Sequence, residues 1–214
     1  IVFAGTRLPA AMYRTTNGGQ SWTQVLNLSS AYDDYSEVAT IRYSPANSSI
    51  MLAGLLGYYY STYYPSPMYR STNGGQSWNR VTPNSSLYGY GGVSSVWFDP
   101  AIGGRVLAGF CGSYDNKDGM VVSYDNGATW QGVASGPFSG SAAPSVLDIA
   151  HSPSNRQRMY AACVGSSTTP GVYKSDDWGL TWTPAGGGLP SNASVGCLCM
   201  DPLQDDTVYA VMGS

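Results

Sequence analysis

An eight-residue pattern that occurs four times constrains the fold of this chain more than any other feature. It reads Ser/Thr-x-Asn/Asp-x-Gly-x-Ser/Thr-Trp, and its tryptophans are 56, 52 and 52 residues apart. The four copies, named octapeptides 1 to 4, span residues 15–22, 71–78, 123–130 and 175–182. A fixed period of about 50 residues is typical of architectures in which one supersecondary unit packs on the next.

The residue types in the octapeptide predict a closed β-hairpin turn. The Asn or Asp at the third position bonds nearby main-chain groups, and the Gly at the fifth adopts the positive φ of a tight turn. The Ser or Thr at the seventh position returns a hydroxyl to the turn, and the Trp starts a strand and packs between layers. The residues predicted to be structural are Asn17, Trp22, Asn73, Trp78, Asp125, Trp130, Asp177 and Trp182.

Further strand signals recur in the same register, so that each period holds four strands, a to d. Strand a ends at a proline, strand b ends in small residues, strand c leads into the octapeptide, and strand d starts at its Trp. We predict strand a at 38–43, 93–98, 146–150 and 195–200, and strand b at 1–5, 50–54, 106–109, 159–162 and 208–211. Strand a has apolar or small residues on both faces, which predicts a central position. Four short strands per ~50 residues, without a helix, indicate propeller blades.

We therefore expect a single β-propeller domain over residues 1–214. It comprises a partial blade (1–28), three blades (about 36–83, 92–134 and 144–186) and a second partial blade (194–214). Strand b occurs five times and the other strands four times, so the chain starts and stops within a blade. Four arrangements fit this count. The chain forms four blades with one spare strand b, five blades of which two are incomplete, or a segment of a longer propeller. In the fourth arrangement the spare strand pairs with a neighbouring copy in a homo-oligomer or fibre.

The octapeptide resembles the Asp-box, or bacterial neuraminidase repeat. This repeat is shared by sialidases, sortilin-type receptor domains, a photosystem II assembly factor and xyloglucan-cleaving glycoside hydrolases. The resemblance covers nearly the whole chain and implies an all-β propeller of four-stranded antiparallel blades, with about four to five blades present. Because the motif marks hairpins in proteins of quite different function, it implies no activity by itself.

Composition excludes several classes of function. Charged residues make up 11 % of the chain, against about 25 % in typical domains, and the net charge is −3. No basic patch is present to neutralise phosphates, so nucleic acid is not an expected partner. No apolar run approaches the ~18 residues of a membrane span. The chain does not begin with Met, and we interpret it as a mature or partial sequence.

Sequons and cysteines bear on the compartment. Loop sequons begin at Asn27, Asn47, Asn84 and Asn192, which predicts an extracellular, secreted glycoprotein. The cysteines are Cys111, Cys163, Cys197 and Cys199, and their spacing fits no zinc site. They are either disulfide-bonded, as a secreted protein permits, or free thiols in an apolar core.

Tyrosines concentrate in the b–c and d–a loops, which share one face of a propeller. Tyr, Ser and Gly together suit the recognition of sugar rings or of a protein partner, although the tyrosines would equally order the long loops by packing on one another. The predicted ligand-binding residues are Tyr32, Tyr35, Tyr58, Tyr59, Tyr60, Tyr63, Tyr64, Tyr88, Tyr90 and Tyr114.

A glycosidase needs a pair of carboxylates. In the xyloglucan-cleaving family that the repeat resembles, one catalytic Asp follows a b strand in an Arg-Thr-Asp-x-Gly-Gly context. The matching stretches here, 5–7, 54–56, 109–111 and 162–164, lack it. The nearest candidates are Asp33, Asp34, Asp115 and Asp118.

Other catalytic sets fit less well. Arg7-Leu8-Pro9 is similar to an arginine motif of sialidases but lies too close to octapeptide 1 for the layout of that family, and Glu37 is the only Glu. His151 is the only His, which excludes a His-based triad and a multi-His metal site, and we interpret it as structural. We expect no cofactor and no metal. The sequence thus favours a secreted, non-catalytic propeller for glycan or protein recognition, scaffolding or self-assembly. The alternative is a glycoside hydrolase of the β-glucan or xyloglucan type, or a fragment of one.

Overall fold

The computed structural model describes residues 1–7, 10–28, 36–57, 68–81, 91–112, 119–133, 136–138 and 143–213. Within these residues it contains seventeen β-strands in five antiparallel sheets and no α-helix. The all-β prediction is therefore confirmed for the part of the chain that the structure describes.

The five sheets follow one another along the chain. Sheet 1 consists of β1 (Val2–Gly5), β2 (Ala11–Thr15) and β3 (Thr23–Asn27). Sheet 2 consists of β4 (Ser36–Ser44), β5 (Asn47–Gly57), β6 (Met68–Ser71) and β7 (Asn79–Arg80). Sheet 3 consists of β8 (Gly92–Phe98), β9 (Val106–Cys111), β10 (Gly119–Ser123) and β11 (Gln131–Gly132). Sheet 4 consists of β12 (Val146–His151), β13 (Met159–Cys163), β14 (Val172–Ser175) and β15 (Thr183–Pro184), and sheet 5 of β16 (Val195–Met200) and β17 (Val208–Met212).

Each sheet is a simple antiparallel meander, in which strands pair in chain order. Strands a, b and c lie where the repeat predicts them, but strand d begins after the octapeptide Trp and is only two residues long in sheets 2, 3 and 4. In sheet 2, for example, the paired residues of these strands are Tyr69↔Arg80 and Arg70↔Asn79, and octapeptide 2 forms the turn that joins them.

Neighbouring sheets pack on each other in chain order. The a strands carry this packing, since β4 contacts β8, β8 contacts β12, and β12 contacts β16. Strand a therefore lies innermost in sheets 2 to 5, as its apolar pattern predicts. The hydrophobic core is divided among the spaces between sheets; the largest cluster lies between sheets 3 and 4, where Phe138 packs edge-on against Trp182 at a centroid distance of 5.3 Å.

A glycine in strand b sets the spacing between sheets. A Cβ added to Gly5, Gly54 or Gly109 would lie 2.5, 2.4 or 2.6 Å from the first valine of the next a strand. These valines are Val38, Val93 and Val146, and each is followed by a β-bulge. At the fourth boundary, Ala162 of β13 packs with Val195, which also precedes a bulge. The contact between a strand-b residue and the first valine of the next strand a thus recurs along the chain, as the octapeptide does. It is accompanied by a β-bulge that the sequence pattern did not reveal.

Candidate functional site

A groove of about 430 Å³ lies across the inner strands of sheets 2, 3 and 4. We call it the inner groove; its side chains come from the ends of β4, β8 and β12, just before the prolines that terminate these strands. It therefore opens on the side of the a–b turns, opposite the loops that the sequence favoured for binding. The residues that matter for its chemistry are Arg42, Tyr43, Trp97, Phe98 and His151.

The wall of the groove is aromatic, and one of its rings faces solvent. Trp97 and Phe98 are 7 % and 6 % exposed, whereas Tyr43 is 62 % exposed. Consecutive residues of a strand point to opposite faces of the sheet. Trp97 therefore packs toward sheet 4 and Phe98 toward sheet 2, and both side chains also line the groove. Tyr43 is thus presented at the rim of an apolar depression.

Trp97 and His151 are joined across the boundary between sheets 3 and 4. The indole Nε1 donates to the imidazole Nδ1 at 3.0 Å, and the ring centroids are 5.5 Å apart. An indole N–H can only donate, so the Nδ1 of His151 carries no proton and the neutral ring is protonated at Nε2. Burial lowers the pKa of His151; Asp99 acts to raise this pKa, and Arg156 acts to lower it.

The carboxylate nearest in sequence to the groove wall is already neutralised. Asp99 accepts a hydrogen bond from Arg105 Nη1 at 3.0 Å, and both side chains are almost fully buried. Asp99 also accepts from the main-chain N–H groups of Ala101 and Ile102, at 2.8 and 3.1 Å. The same Arg105 donates to the main-chain oxygen of Trp178 in octapeptide 4, which ties sheet 3 to sheet 4. Asp99 therefore has structural partners on both of its oxygens, and its charge acts on His151 from behind the groove wall.

The octapeptides form hydrogen-bonded turns around a buried hydroxyl at their first position. In octapeptide 3, Ser123 Oγ accepts from the main-chain N–H of Gly127 at 2.8 Å and donates to Asp125 Oδ1 at 2.8 Å. Asp125 Oδ1 accepts from the N–H of Thr129 at 2.8 Å. The four hydroxyls, which the sequence interpretation did not single out, belong to Thr15, Ser71, Ser123 and Ser175, and all are buried.

The direction of one hydrogen bond differs between the octapeptides. In octapeptides 1 and 2 the side-chain amide of Asn17 or Asn73 donates to the seventh-position Ser at 2.8 Å. In octapeptides 3 and 4 the seventh-position Thr donates to Asp125 or Asp177, at 2.6 and 2.5 Å. The third- and seventh-position side chains are thus Asn with Ser or Asp with Thr. The hydrogen bond between them is kept in both pairs, but its donor is the Asn in the first pair and the Thr in the second.

The octapeptide Trp residues differ in burial. Trp78 and Trp182 are 8 % and 5 % exposed, and Trp130 is partly buried. Trp22 is 42 % exposed. The fifth-position glycines of octapeptides 2 to 4 pack on strand b of the preceding sheet, against Phe3, Leu52 and Leu107.

Most of the predicted ligand and catalytic residues lie outside the described residues. This holds for all ten loop tyrosines, for the sequon residue Asn84 and for the four carboxylate candidates Asp33, Asp34, Asp115 and Asp118. The other three sequon residues, Asn27, Asn47 and Asn192, are exposed. The prediction that they lie in loops is wrong for two of them, because Asn27 is the last residue of β3 and Asn47 is the first residue of β5. Glu37 lies 3.7 Å from Arg7 in an ion pair at the start of β4.

The four cysteines are free thiols in the structure. Cys163 is buried, and burial raises the pKa of its thiol. Cys197 and Cys199 are exposed on β16, while Cys111 is half-buried. Across the described ranges, no group of three or more His, Cys, Asp or Glu side chains could hold a metal ion, and no helix could span a membrane.

The signal that could have revealed the inner groove was present in the sequence. Tyr43, Phe98 and His151 each stand two residues before a proline that ends strand a. The alignment of the prolines placed these residues at equivalent positions on adjacent inner strands. Sequence interpretation instead assigned His151 a structural role and looked for function in the loops at the other end.

Comparisons with known proteins identify the fold. No protein-family model and no curated protein matches the chain. Among solved structures, an ancestral GH74 enzyme matches with a TM-score of 0.71 and 23 % identity, over 98 % of this chain and 25 % of that chain. The GH74 enzyme of Niastella koreensis matches with a TM-score of 0.71 and 18 % identity, over 98 % of this chain and 31 % of the other. The GH74 xyloglucanase from Xanthomonas campestris matches with a TM-score of 0.65 and 22 % identity, over 92 % of this chain and 30 % of the other.

These neighbours are β-propellers, and the chain has the fold of a β-propeller built from antiparallel blades. The chain spans between 25 % and 31 % of the length of the three matched structures. At such identities the likeness shows the fold and not the activity.

Proposed function

We propose that this chain recognises glycans without cleaving them, and that the inner groove holds a sugar ring. The observation that carries this proposal is the placement of Tyr43, which is 62 % exposed at the rim of a groove walled by Trp97. A pyranose ring has an apolar face that packs on an aromatic side chain and hydroxyl groups that bond to polar atoms beside it. The groove volume of 430 Å³ falls within the ~300–1,000 Å³ typical of ligand sites.

Isothermal titration calorimetry with defined oligosaccharides tests this proposal. Cellohexaose, a xyloglucan heptasaccharide and trigalacturonate serve as probes, and Tyr43→Ala removes the rim platform. We expect the affinity for the bound glycan to fall about tenfold, the equivalent of roughly 1.4 kcal/mol. Tyr124→Ala is the matched control, since Tyr124 is 53 % exposed but lies in octapeptide 3 away from the groove. An equal loss in both variants, or no binding of any probe, would overturn the proposal.

We propose that the ten loop tyrosines contribute a second recognition surface on the opposite face. Their number and their setting among Ser and Gly support this. Alanine at Tyr59, Tyr63 and Tyr90 together should weaken binding to a polymeric glycan or an extracellular protein partner. If the triple variant and the wild type bind insoluble polysaccharide equally well in a pull-down, the recognition surface is ruled out and the tyrosines only pack on one another.

A second candidate function is glycoside hydrolysis, which the likeness to three GH74 structures favours. The carboxylates proposed for it are Asp33, Asp34, Asp115 and Asp118. This candidate predicts the release of reducing ends from xyloglucan and the loss of this activity when one of these residues is changed to Asn. If xyloglucan incubated with the wild-type chain shows no new reducing ends, hydrolysis by this chain is ruled out.

We also infer that the octapeptides are Asp-box repeats, that the protein is secreted, and that Asn27, Asn47, Asn84 and Asn192 carry glycans. The third-position side chains that close each turn and the exposure of three of the four Asn residues support these inferences. Assembly of copies through β1 and β17, and disulfides among the four cysteines, remain proposals for the secreted form. Intact-mass measurement with and without deglycosylation and reduction tests the glycans and the disulfides, and light scattering tests assembly.

A further inference from the structure

The polar groups left available at the inner groove are hydrogen-bond donors. Arg42 is exposed, and its Nη1 donates to the main-chain oxygen of Ile41 at 3.1 Å, which holds the guanidinium near the rim. His151 accepts from Trp97 at Nδ1, so its Nε2 carries a proton that it can donate. The hydroxyl of Tyr43 can either donate or accept.

Acceptors with a charge are missing from the same place. The described residues that line the groove include no Asp or Glu. Asp99, which follows Phe98 in the chain, is bonded to Arg105 and to two main-chain N–H groups. Asp99 and Arg156 both act on the charge of His151 from outside the groove, and the effect of Asp99 is the larger. Among the described residues that line the groove, the charged side chain is therefore Arg42, on a chain whose net charge is −3.

We propose that the inner groove selects an acidic sugar, a hexuronate residue, over the corresponding neutral sugar. This inference rests on the proposed glycan recognition and adds the class of sugar. The carboxylate of the uronate binds Arg42 and accepts a hydrogen bond from His151 Nε2, while the face of its ring packs on Tyr43.

The chemistry of the two partners supports this assignment. A guanidinium offers paired N–H groups that match the two oxygens of a carboxylate, and such charge-assisted bonds are about twice as strong as neutral ones. Arg is also less strongly hydrated than Lys, so it gives up water more readily at an apolar wall. A neutral sugar would leave these donors facing hydroxyl groups only, with no charge to balance Arg42.

The test compares trigalacturonate with its methyl ester, which has the same rings but no carboxylate charge. Calorimetry with the wild-type chain at low salt should show about tenfold tighter binding of the acid. Arg42→Gln should bring the ratio of the affinities for acid and ester to about one, whereas Arg42→Lys should retain part of the preference for the acid. Arg80→Gln is the control, because Arg80 is exposed on β7 at the outer edge of sheet 2. Circular dichroism melts of all variants confirm that they fold.

The outcomes separate this inference from the proposed function. Equal affinities for acid and ester would overturn the acidic-sugar assignment and leave glycan recognition standing. An equal loss of preference in Arg42→Gln and Arg80→Gln would also overturn it, because the effect would then reflect overall charge. A preference of the same size for trigalacturonate and for a sulfated trisaccharide would show a general anion site and overturn the choice of hexuronate. The absence of binding to either ligand would overturn both proposals.

Discussion

The side chain of Arg70 donates through Nε to the main-chain oxygen of Asn126, 2.8 Å away, across the boundary between sheets 2 and 3. Arg105 makes the equivalent bond to Trp178 across the next boundary. Asn126 and Trp178 occupy the fourth position of octapeptides 3 and 4, and their φ angles are 59° and 60°. This left-handed conformation turns the carbonyl toward the preceding sheet. Arg70, in β6, reaches the first of these carbonyls, and Arg105, the residue before β9, reaches the second.

Replacing Arg105 should therefore weaken the protein more than replacing Arg70. Arg105→Ala breaks the contact with sheet 4 and leaves Asp99 as a buried, unpaired charge, which we expect to cost about 3–5 kcal/mol of unfolding free energy. Arg70→Ala removes one hydrogen bond to a main-chain oxygen and should cost about 1–3 kcal/mol. Urea denaturation measures both. An Arg105→Ala value within about 0.5 kcal/mol of the wild type would contradict the role assigned to the pair.

The buried first-position hydroxyl of octapeptide 3 should contribute more to the free energy of unfolding than the exposed seventh-position hydroxyl of octapeptide 1. Ser123→Ala leaves the N–H of Gly127 without its partner in a buried turn, so we expect a loss of about 1–3 kcal/mol. Ser21→Ala removes an exposed partner of Asn17 and should cost about 0.5 kcal/mol. Guanidinium denaturation of the two variants makes the comparison, and equal losses would show that the first-position hydroxyl has no special role.

The Asp octapeptides should contribute acid sensitivity that the Asn octapeptides lack. Partial burial opposes the effect, but hydrogen bonds from Thr129, Ser123 and Ala128 lower the pKa of Asp125 below its usual 3.8. A lowered folded-state pKa gives stability that is present above pH 3.8 and is lost as the pH falls through the folded value. Asp125→Asn should thus be nearly neutral at pH 7, since Asn73 makes the same main-chain bond, and should flatten the fall in unfolding free energy below pH 3.8. Denaturation curves on both sides of this pH measure it; Asp125→Ala should be destabilised at every pH.

The period of the repeat was sufficient to predict the sheets but not the way in which they pack. Octapeptide spacing and the prolines located strands a, b and c because these signals are local in the chain. The bulge after each strand-a valine, the contact of Gly54 with Val93 and the reach of Arg70 to Asn126 join residues of different sheets. Their residue types are unremarkable in one sequence, so they became visible only when the sheets were placed side by side.

The inner groove shows the same limit for the site. Tyr43 and His151 are about a hundred residues apart, and only the alignment of strand-a prolines relates them. A lone His beside a proline is more often structural, and the tyrosine-rich loops carried the stronger compositional signal. The bond from Trp97 to His151 supports the structural interpretation of His151. That interpretation is incomplete, because the same ring also lines the groove.

The glycine that separates sheets should tolerate no methyl group. In Gly54→Ala the new Cβ would lie 2.4 Å from Val93 Cγ1 and 2.8 Å from the main-chain oxygen of Val93, so sheets 2 and 3 must move apart. We expect a loss of about 1–3 kcal/mol, with partial recovery in the double variant Gly54→Ala, Val93→Ala. Gly103→Ala is the control, because nothing lies within 4 Å of its added Cβ. Thermal unfolding compares these variants with the single variant Val93→Ala, and losses of the two single variants that add up in the double variant would contradict a direct contact.

Stability should also fall in mildly acidic solution because of His151. Burial lowers its pKa from 6.5, so the unfolded chain takes up a proton at a higher pH than the folded protein does. Unfolding free energy is then greatest above pH 6.5 and decreases as the pH falls from there through the lower folded-state value. His151→Asn keeps an acceptor for the Trp97 indole but cannot titrate, so its unfolding free energy should stay flat in this range while His151→Leu loses the bond at every pH. Urea denaturation between pH 6.5 and a pH about one unit above 3.8 measures the difference, because protonation of a carboxyl with a pKa of 3.8 begins to contribute about one unit above that value. The same fall with pH in wild type and His151→Asn would assign the effect to another group.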